Sequence, residues 1–362
     1  MRSLMIINLD NLRNNVEIIK KYTNKEMIAV VKSNAYGLGV KPIVRALIEG
    51  GIKYFACNTL SEAKVILNIN KQIKIIILDS ISWAELKGVR DFTNLVISIN
   101  SFLDAYNINQ INQSCTIHLQ VDTGMNRVGI KNIDDAKTII KLLKNNPLIK
   151  IEGIFTHFTS NSKELFFYEH QKQSFEGFLK LHPFSIIHTA NTPSLTKTIL
   201  GNYIRIGMAL YGFHSDIPCL KKVVQVVTKC CNIISLKKGD EVGYDGTYIA
   251  SKKERLGVLP IGYNDGEITP YVYYHCYRFL VVAKRCMNHT FILINDKINY
   301  LSYLRLLPKN DKIVNDTNYY HLFTSMKKIP KIYIKQVDYD IQATIKSRNG
   351  KSLYLSKRVR SD

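Results

Sequence analysis

Long apolar runs are missing from this sequence of 362 residues. No stretch of about 18 consecutive apolar residues occurs, which excludes an ordinary membrane-spanning helix. The apolar stretch over residues 1–7 is too short for a secretory signal, and Asp10 follows it closely. The sequence therefore predicts a cytoplasmic protein without a membrane partner.

Cysteine pairs and repeated segments are missing as well. The seven cysteines are an odd number without CxxC spacing, and the neighbouring Cys230 and Cys231 do not form a zinc-binding pattern. They predict buried thiols in a reducing compartment and no metal site. Neither low-complexity segments nor internal repeats occur, so a repeat architecture is not expected.

Acidic residues are scarce: the sequence has 29 acidic and 50 basic residues, which gives a formal net charge of +21. Such a charge can indicate a polyanionic partner such as nucleic acid. The basic residues are scattered, however, and the densest runs, at 251–255 and 356–360, are short. Without a recognisable aromatic stacking platform, the charge indicates a lysine-rich surface, and no nucleic-acid partner is expected.

The first 215 residues alternate between short β-branched runs and longer segments of helical periodicity. A doubly wound sheet would show the same alternation, but eight such units favour a (β/α)8 TIM-like barrel. The predicted strands are 27–32, 54–58, 73–78, 95–99, 116–122, 150–157, 185–190 and 203–207, and the predicted helices are 40–49, 60–67, 134–143 and 163–181.

Helical periodicity fades after residue 215, where short strand-like runs and turn signals take over. The sequence thus predicts a strand within residues 1–10 that pairs with the C-terminal domain, a barrel over 11–215, and a smaller, mostly β domain over 216–362. The runs are 223–227, 231–235, 255–260, 279–282 and 291–294, with turns at 238–240, 245–246 and 349–350.

Lys32 stands at the end of the first predicted barrel strand. In such barrels this end carries the active site. A partly desolvated lysine has a lowered pKa and serves as a Schiff-base nucleophile, whereas a lone strand-end lysine is more often a surface residue. The residue type and position alone leave both interpretations open.

Seven motifs resolve that choice, since they occur in the order typical of alanine racemases, fold-type III enzymes that use pyridoxal 5'-phosphate (PLP). The segment at 30–39, VVKSNAYGLG, resembles the PLP-lysine motif of that family. The others are DTGMNRVG at 122–129, GIFTHF at 153–158, HTANT at 188–192, IRIGMALYG at 204–212, GYDGTY at 243–248 and LPIGYNDG at 259–266. The resemblance covers residues 27–266 and thins beyond them.

The resemblance implies two catalytic bases, Lys32 and Tyr244. Lys32 would also hold PLP, and each base would act on one face of the substrate α-carbon, as racemisation requires. The motifs imply a cofactor site made of Lys32, Tyr36, His157, Asn191, Thr192, Arg205, Gly207 and Met208, and a substrate site that includes Arg127 and Met287.

Within the implied cofactor site, Arg205 would face the pyridine nitrogen and leave it largely unprotonated, since arginine rarely releases its proton. The hydroxyls of Tyr36 and Thr192 and the amides of Gly207 and Met208 would hold the phosphate. His157 would stack near the ring and Asn191 would orient its neighbours. Arg127 would grip the substrate carboxylate.

The sequence departs from the family pattern in several places. Gln120 replaces a lysine that many members carry in carbamylated form, although its amide oxygen could accept a hydrogen bond from Arg127. Asn288 replaces an aspartate, and an arginine usual after Gly266 is missing. Ser347 and Arg348 occupy roughly the region of a C-terminal tyrosine near the phosphate.

The function implied is interconversion of L-alanine and D-alanine, which supplies D-alanine for peptidoglycan. A head-to-tail homodimer with composite sites is implied as well. A racemase for another amino acid, such as serine, stays open, as does a PLP-binding relative with little or no turnover. Arg205 argues against a decarboxylase, because those relatives carry an acidic residue at the pyridine nitrogen. Nucleic-acid binding rests on the net charge alone.

Overall fold

Eight parallel strands close into a barrel in the computed structural model of this chain, which describes residues 3–159, 165–195, 199–214, 216–217, 219–307 and 316–335. Strand β1 (Leu4–Asn8) precedes them. The barrel strands are β2 (Glu26–Val30), β3 (Tyr54–Cys57), β4 (Lys74–Ile77), β5 (Leu95–Ile99), β6 (Cys115–Gln120), β7 (Ile149–Phe155), β8 (Ile186–His188) and β9 (Tyr203–Ile206).

The strands pair in chain order, and β9 returns to β2 with Tyr203 opposite Glu26 and Arg205 opposite Ile28. This closure excludes a doubly wound sheet. The predicted (β/α)8 barrel followed by a smaller, mostly β domain is therefore confirmed.

Helices connect the barrel strands. They are α1 (Leu9–Thr23), α2 (Lys32–Tyr36), α3 (Val40–Glu49), α4 (Leu60–Leu67), α5 (Trp83–Lys87), α6 (Phe102–Asn109), α7 (Ile133–Lys144) and α8 (Leu165–Leu179). Small polar residues begin several of them: Thr59, Ser82 and Ser101 each accept a hydrogen bond from a backbone amide of the first turn. Residues 163–164 of the predicted helix 163–181 lie outside the described residues.

One side of the barrel interior, formed by β2 to β5, is apolar. Ile28, Val30, Ala56, Ile76 and Val96 form a cluster of buried side chains contributed by successive strands. Strands β6 to β9 contribute polar side chains, of which four are almost wholly buried: His118, Glu152, His188 and Arg205. Buried polar groups of this kind require partners.

The chain divides into two compact units, Arg13–Leu220 and a second unit made of Met1–Leu12 with Lys221–Asp362. The second unit contains a nine-stranded sheet in the order β11-β14-β17-β16-β15-β18-β10-β1-β19 and a hairpin, β12-β13. Its elements are β10 (Val224–Thr228), β11 (Asn232–Leu236), β12 (Glu241–Val242), β13 (Tyr248–Ile249), β14 (Glu254–Leu259), β15 (Tyr271–Tyr274), β16 (Tyr277–Val282), β17 (Thr290–Ile294), β18 (Leu304–Arg305), α9 (Asp316–Ser325) and β19 (Lys331–Ile334).

Strand β1 lies inside this sheet, antiparallel to β10 and parallel to β19. Leu4, Ile6 and Val227 form the buried cluster beneath that pairing. The N-terminal residues thus complete the second unit before the chain enters the barrel. The turn expected at 349–350, the basic run at 356–360, and Ser347 with Arg348 all lie outside the described residues.

All seven cysteines are free thiols. Cys57, Cys115 and Cys230 are buried, and burial raises the pKa of Cys115 to about 11 and that of Cys230 to about 12. The expectation of buried thiols is wrong for three others, which are exposed: Cys219, Cys231 and Cys276. All three lie in turns or bends outside the strands, where side chains face solvent.

No helix within the described ranges is long and apolar enough to cross a membrane. The described residues also contain no group of three or more His, Cys, Asp or Glu side chains that could hold a metal ion.

Candidate active site

A cavity of about 170 Å³ opens at the carboxyl ends of the barrel strands. Its lining residues follow or end β2, β3, β4, β6, β7 and β9, and all belong to the first unit. They are Lys32, Asn58, Leu78, Asp79, Gln120, Arg127, Val128, Phe155, His157 and Arg205. Four predicted site residues, Lys32, Arg127, His157 and Arg205, therefore meet at one cavity, at the barrel end where active sites lie.

The backbone after Lys32 adopts a rare conformation. The strand predicted to reach residue 32 ends at Val30, and Ser33 to Tyr36 all have φ between 52° and 58°. Left-handed helical geometry costs roughly 1–2 kcal/mol per non-glycine residue. Such strain persists where surrounding contacts enforce it, commonly at active sites.

Glu62 supplies those contacts. Its carboxylate accepts hydrogen bonds from the Ser33 amide at 2.5 Å and from the Asn58 amide at 3.0 Å. Asn34 adds a further bond by accepting from the Val40 amide at 2.8 Å. The left-handed turn is thereby tied to the end of β3, and Lys32 is held half-buried at the cavity.

Tyr36, at the end of this turn, lies against Gly207. A Cβ atom at position 207 would collide with the Tyr36 hydroxyl, so a larger residue there would displace that hydroxyl. Thr192 approaches from a neighbouring strand end, and its hydroxyl accepts from the Ala209 amide at 3.3 Å. Met208 begins the short 3₁₀ helix that follows Gly207. The predicted phosphate residues are thus contiguous in space.

Asn191 connects this cluster to His157. Its side-chain amide donates to the Phe158 carbonyl at 3.1 Å and lies 3.3 Å from His157 Nε2. Burial and the charge of Arg205 lower the pKa of His157 to about 3, so its imidazole is neutral near pH 7.

Arg205 is 4% exposed and is held mainly by backbone carbonyls. Its Nη2 donates to the Thr156 carbonyl at 2.6 Å and to the Thr189 carbonyl at 3.3 Å. Its Nη1 donates to the carbonyl and the Nδ1 atom of His188. Burial and the nearby Arg127 lower its pKa to about 9, so the guanidinium stays protonated at neutral pH.

Arg127 projects from a loop that Asp122 organises. The Asp122 carboxylate accepts from the amides of Gly124, Asn126 and Arg127, each at 3.0 Å. Gln120 donates through Nε2 to the Val128 carbonyl at 3.2 Å. Among the described residues, no hydrogen bond joins the Gln120 oxygen to Arg127.

Tyr244 and Met287 belong to the second unit. Tyr244 is 63% exposed at the start of a tight turn, in which Gly243 has φ 74° and Asp245 has φ 61°. Met287 is 54% exposed, and its carbonyl accepts from the Asn264 amide at 3.2 Å. The motifs around residues 243–248, 259–266 and 286–288 therefore lie within the unit that does not line the cavity.

Asn58, Leu78, Asp79 and Phe155 line the cavity but were not among the predicted site residues. Each stands at or just after the end of a barrel strand. A search for side chains at strand ends, made after the eight strands were counted, would have found them.

Two family models match this chain. Residues 7–215 match the alanine racemase N-terminal domain, and residues 223–329 match the alanine racemase C-terminal domain.

Curated relatives agree with these matches. An alanine racemase from Borreliella burgdorferi (strain ZS7) is 33% identical over 309 residues, which cover 78% of this chain and 80% of that protein. An alanine racemase from Fusobacterium nucleatum is 32% identical over 318 residues, with coverages of 82% and 88%.

Solved structures share the fold. The alanine racemase from E. faecalis superposes with a TM-score of 0.84 at 24% identity, covering 92% of this chain and 98% of that one. A histidine racemase from Leuconostoc mesenteroides gives 0.80 at 21% identity, with coverages of 92% and 98%. At these identities the likeness concerns the fold.

Proposed function

Because this chain belongs to the alanine racemase family, we propose that it interconverts L-alanine and D-alanine with PLP bound at Lys32 and with Lys32 and Tyr244 as the two bases. The observation that carries the proposal is the meeting of Lys32, Arg127 and Arg205 at one cavity. The D-alanine formed would serve peptidoglycan synthesis in the cytoplasm.

The residues present fit PLP, a dianionic phosphate on an aromatic ring. The cavity presents three cationic groups, Lys32, Arg127 and Arg205, against the carboxylate of Asp79. Because Gly207 has no side chain, the Tyr36 hydroxyl lies directly against its backbone. Among the described residues, the Arg205 Nε–H meets no hydrogen-bond acceptor, although Arg205 lines the cavity.

Each side chain would hold a different part of the cofactor. Lys32 would bind it covalently through Nζ, and Arg205 Nε would face the pyridine nitrogen. Tyr36, Thr192 and the amides of Gly207 and Met208 would hold the phosphate, as hydroxyls and backbone N–H groups commonly do. Bound PLP would withdraw electrons from the substrate α-carbon and so acidify its proton.

The protein's own groups then control the proton. Arg127 would grip the substrate carboxylate and fix the α-carbon between the two bases. Once the substrate amine has displaced Lys32 from the cofactor, the freed Lys32 amine would remove or return the proton on one face, and Tyr244 on the other. Arg205 keeps its own proton, so the ring nitrogen stays unprotonated, which limits side reactions that need a stronger electron sink.

Tyr244 would act on the barrel of a second copy of this chain. Its 63% exposure at a rigid turn suits a side chain that completes a site on a partner. This arrangement makes the enzyme a head-to-tail homodimer with two composite sites, with the twofold symmetry common among soluble oligomers. Met287, 54% exposed, would stand at the same substrate entrance.

A second candidate is a racemase for a more polar amino acid, such as serine. Asn58 and Asp79 favour it, because both line the cavity and offer hydrogen-bonding groups to a substrate side chain. Comparing L-alanine, L-serine and L-histidine as substrates, with Asp79→Ala beside the wild type, decides between the candidates. Preference for serine that disappears in the variant would displace alanine as the substrate.

The proposal is tested by purifying the protein with PLP and following D-alanine formation from pure L-alanine. We expect an absorption band near ~420 nm from lysine-bound PLP, together with D-alanine, and loss of both in Lys32→Ala. Glu176→Ala, on the exposed side of α8, is a matched control that should keep both. Absence of the band in the wild type would contradict the proposal.

A further inference from the structure

A buried chain of polar side chains leads from Arg205 into the barrel. Arg205 Nη1 lies 2.9 Å from His188 Nδ1, and His188 Nε2 lies 2.9 Å from His118 Nδ1. His118 Nε2 then lies 3.6 Å from Glu152 Oε2, which is an electrostatic contact rather than a direct hydrogen bond. Four strands, β9, β8, β6 and β7, each contribute one member.

The chain is shielded from solvent along its length. His118 and His188 are 0% exposed, and Glu152 and Arg205 are 4% exposed. The ring of Phe155 stacks on His188 with centroids 4.6 Å apart, and the Arg205 guanidinium lies 5.2 Å from the same ring. Low local polarity strengthens such hydrogen bonds and makes an unpaired member costly.

Gly153 makes room for the chain. A Cβ atom there would lie 2.7 Å from Nε2 and Cδ2 of His118, closer than real contacts allow. The register between β6 and β7 also shifts between Ile117 and His118. The backbone of β7 is therefore adapted to the His118 ring.

The donor at one end fixes the direction of every link. Arg205 can only donate, so His188 Nδ1 accepts and its proton resides on Nε2. His188 Nε2–H then donates to His118 Nδ1, which places the His118 proton on Nε2, facing Glu152. Both imidazoles are thus neutral Nε2–H tautomers between a cation and an anion.

The charges agree with this assignment. Burial lowers the pKa of both His118 and His188, which keeps the rings neutral. The His118 contact, together with Lys150 and Lys74, holds the pKa of Glu152 far below its usual value, so the carboxylate stays ionised. Lys150 lies 2.8 Å and Lys74 3.3 Å from that carboxylate. No carboxylate among the described residues forms an ion pair with Arg205 directly.

We propose that His188, His118 and Glu152 are positioning residues for Arg205: this series of side chains fixes the rotation of the guanidinium, so that the Arg205 Nε–H is aimed into the cavity. The inference rests on the proposed function, in which Nε faces the cofactor ring nitrogen. The remaining Nη donors are already committed to Thr156, Thr189 and His188.

Imidazole-¹⁵N NMR of the PLP-free protein tests the geometry independently of activity. We expect His118 and His188 to show acceptor-type Nδ1 and protonated Nε2 signals, and the Arg205 Nε–H to be visible and slow to exchange. In His118→Phe, His188 should lose its single tautomer and the Arg205 signal should broaden. A protonated Nδ1 on His188 in the wild type would overturn the proposal.

Kinetics of the PLP-loaded enzyme test the role. In His118→Phe, kcat should fall by about tenfold or more, the scale on which outer partners of functional groups act, while KM for alanine stays within about twofold, since Arg127 holds the carboxylate. His118→Gln, which keeps a donor and an acceptor, should restore much of kcat. Unchanged kcat, or a rise in KM alone, would overturn the positioning role.

Two further variants keep the test decisive. Glu152→Gln retains shape and weakens the acceptor that faces His118 Nε2–H, so it should keep the tautomers and still lower kcat; wild-type kcat would contradict a positioning role for Glu152. His182 is a part-buried histidine that does not belong to this hydrogen-bonded series, so His182→Phe should change neither the NMR pattern nor kcat. A wild type with the expected NMR pattern but no racemisation would refute the proposed function and leave the hydrogen-bonded chain standing.

Discussion

Burial decides the charge of single residues at this site. Arg205 and His157 lie within hydrogen-bonding reach of each other, with Nη2 and Nδ1 3.5 Å apart. Desolvation lowers the pKa of both, yet Arg205 stays cationic with a pKa of about 9 while His157 becomes neutral with a pKa of about 3. One cation and one neutral ring are therefore available to the cofactor across the neutral pH range.

The neutral state of His157 makes the stability of the fold depend on pH. The unfolded chain protonates this ring below about pH 6.5, whereas the folded chain resists protonation down to a pKa of about 3. Stability contributed by the neutral ring is thus present above the unfolded pKa and declines as the pH falls below it. The slope approaches about 1.4 kcal/mol per pH unit for one proton.

Urea unfolding of wild type and His157→Gln between pH 4 and 7 measures this contribution. Below about pH 6.5, we expect the free energy of unfolding to fall more steeply with decreasing pH in the wild type than in His157→Gln. The difference in slope should reach up to about 1.4 kcal/mol per pH unit, the value for one proton. Parallel curves for the two proteins would show that His157 titrates normally in the fold.

At the scale of elements, the buried strands could be predicted from the sequence, whereas several helices and the pairing of the short C-terminal strands could not. β5, α3 and α4 have the predicted bounds, because their apolar periodicity is strong and clear signals flank them. The helices α1, α5 and α6 were missed, although Leu12, Val16 and Ile19 of α1 are spaced for one buried face. β18 and β19 are short, and their pairing with β15, β10 and β1 is set by distant residues.

The candidate site divides in the same way. Lys32, Arg127, His157 and Arg205 were predictable because each stands in a motif with a recognisable residue pattern. The proximity of Asn58 and Asp79 was not, because it arises from barrel closure, which brings successive strand ends together. The left-handed backbone at Ser33 to Tyr36 also has no local sequence signal, since none of the four is glycine.

That left-handed turn should depend on Glu62, its external hydrogen-bond partner. Removing the carboxylate in Glu62→Ala leaves the Ser33 and Asn58 amides without their acceptor. We expect the free energy of unfolding to fall by about 1.5–3 kcal/mol, the usual contribution of a charged hydrogen bond, and PLP to bind more weakly at Lys32.

Denaturant unfolding and PLP titration of Glu62→Ala measure both effects, with Glu176→Ala as the exposed-carboxylate control. If the two variants behave alike, the turn holds its conformation without Glu62, and the strain must be balanced elsewhere.

At the scale of the whole molecule, the order of segments along the chain differs from their grouping into compact units. The second unit begins with Met1–Leu12, leaves for the barrel, and resumes at Lys221. One active site would likewise draw on two chains, with Lys32 from one copy and Tyr244 from the other.

Mixing two inactive variants tests the composite site. Lys32→Ala and Tyr244→Phe should each be inactive, but a mixed dimer would contain one site with both bases intact. After subunit exchange at equal amounts, half the dimers are mixed and each has one intact site of two, so about a quarter of wild-type activity is expected. No recovery, despite exchange verified by differential tags, would place both bases in one chain.

The central claim, two bases on opposite faces of the α-carbon, is tested most directly by racemisation in D₂O from each pure enantiomer, with α-proton exchange followed by NMR. The wild type should racemise both enantiomers and incorporate solvent deuterium. In Tyr244→Phe, racemisation should fall by at least about 100-fold, within the range for loss of a general base, while Lys32 still exchanges the proton of one enantiomer. Equal racemisation by Tyr244→Phe and wild type, or exchange without racemisation in the wild type, would contradict the two-base account.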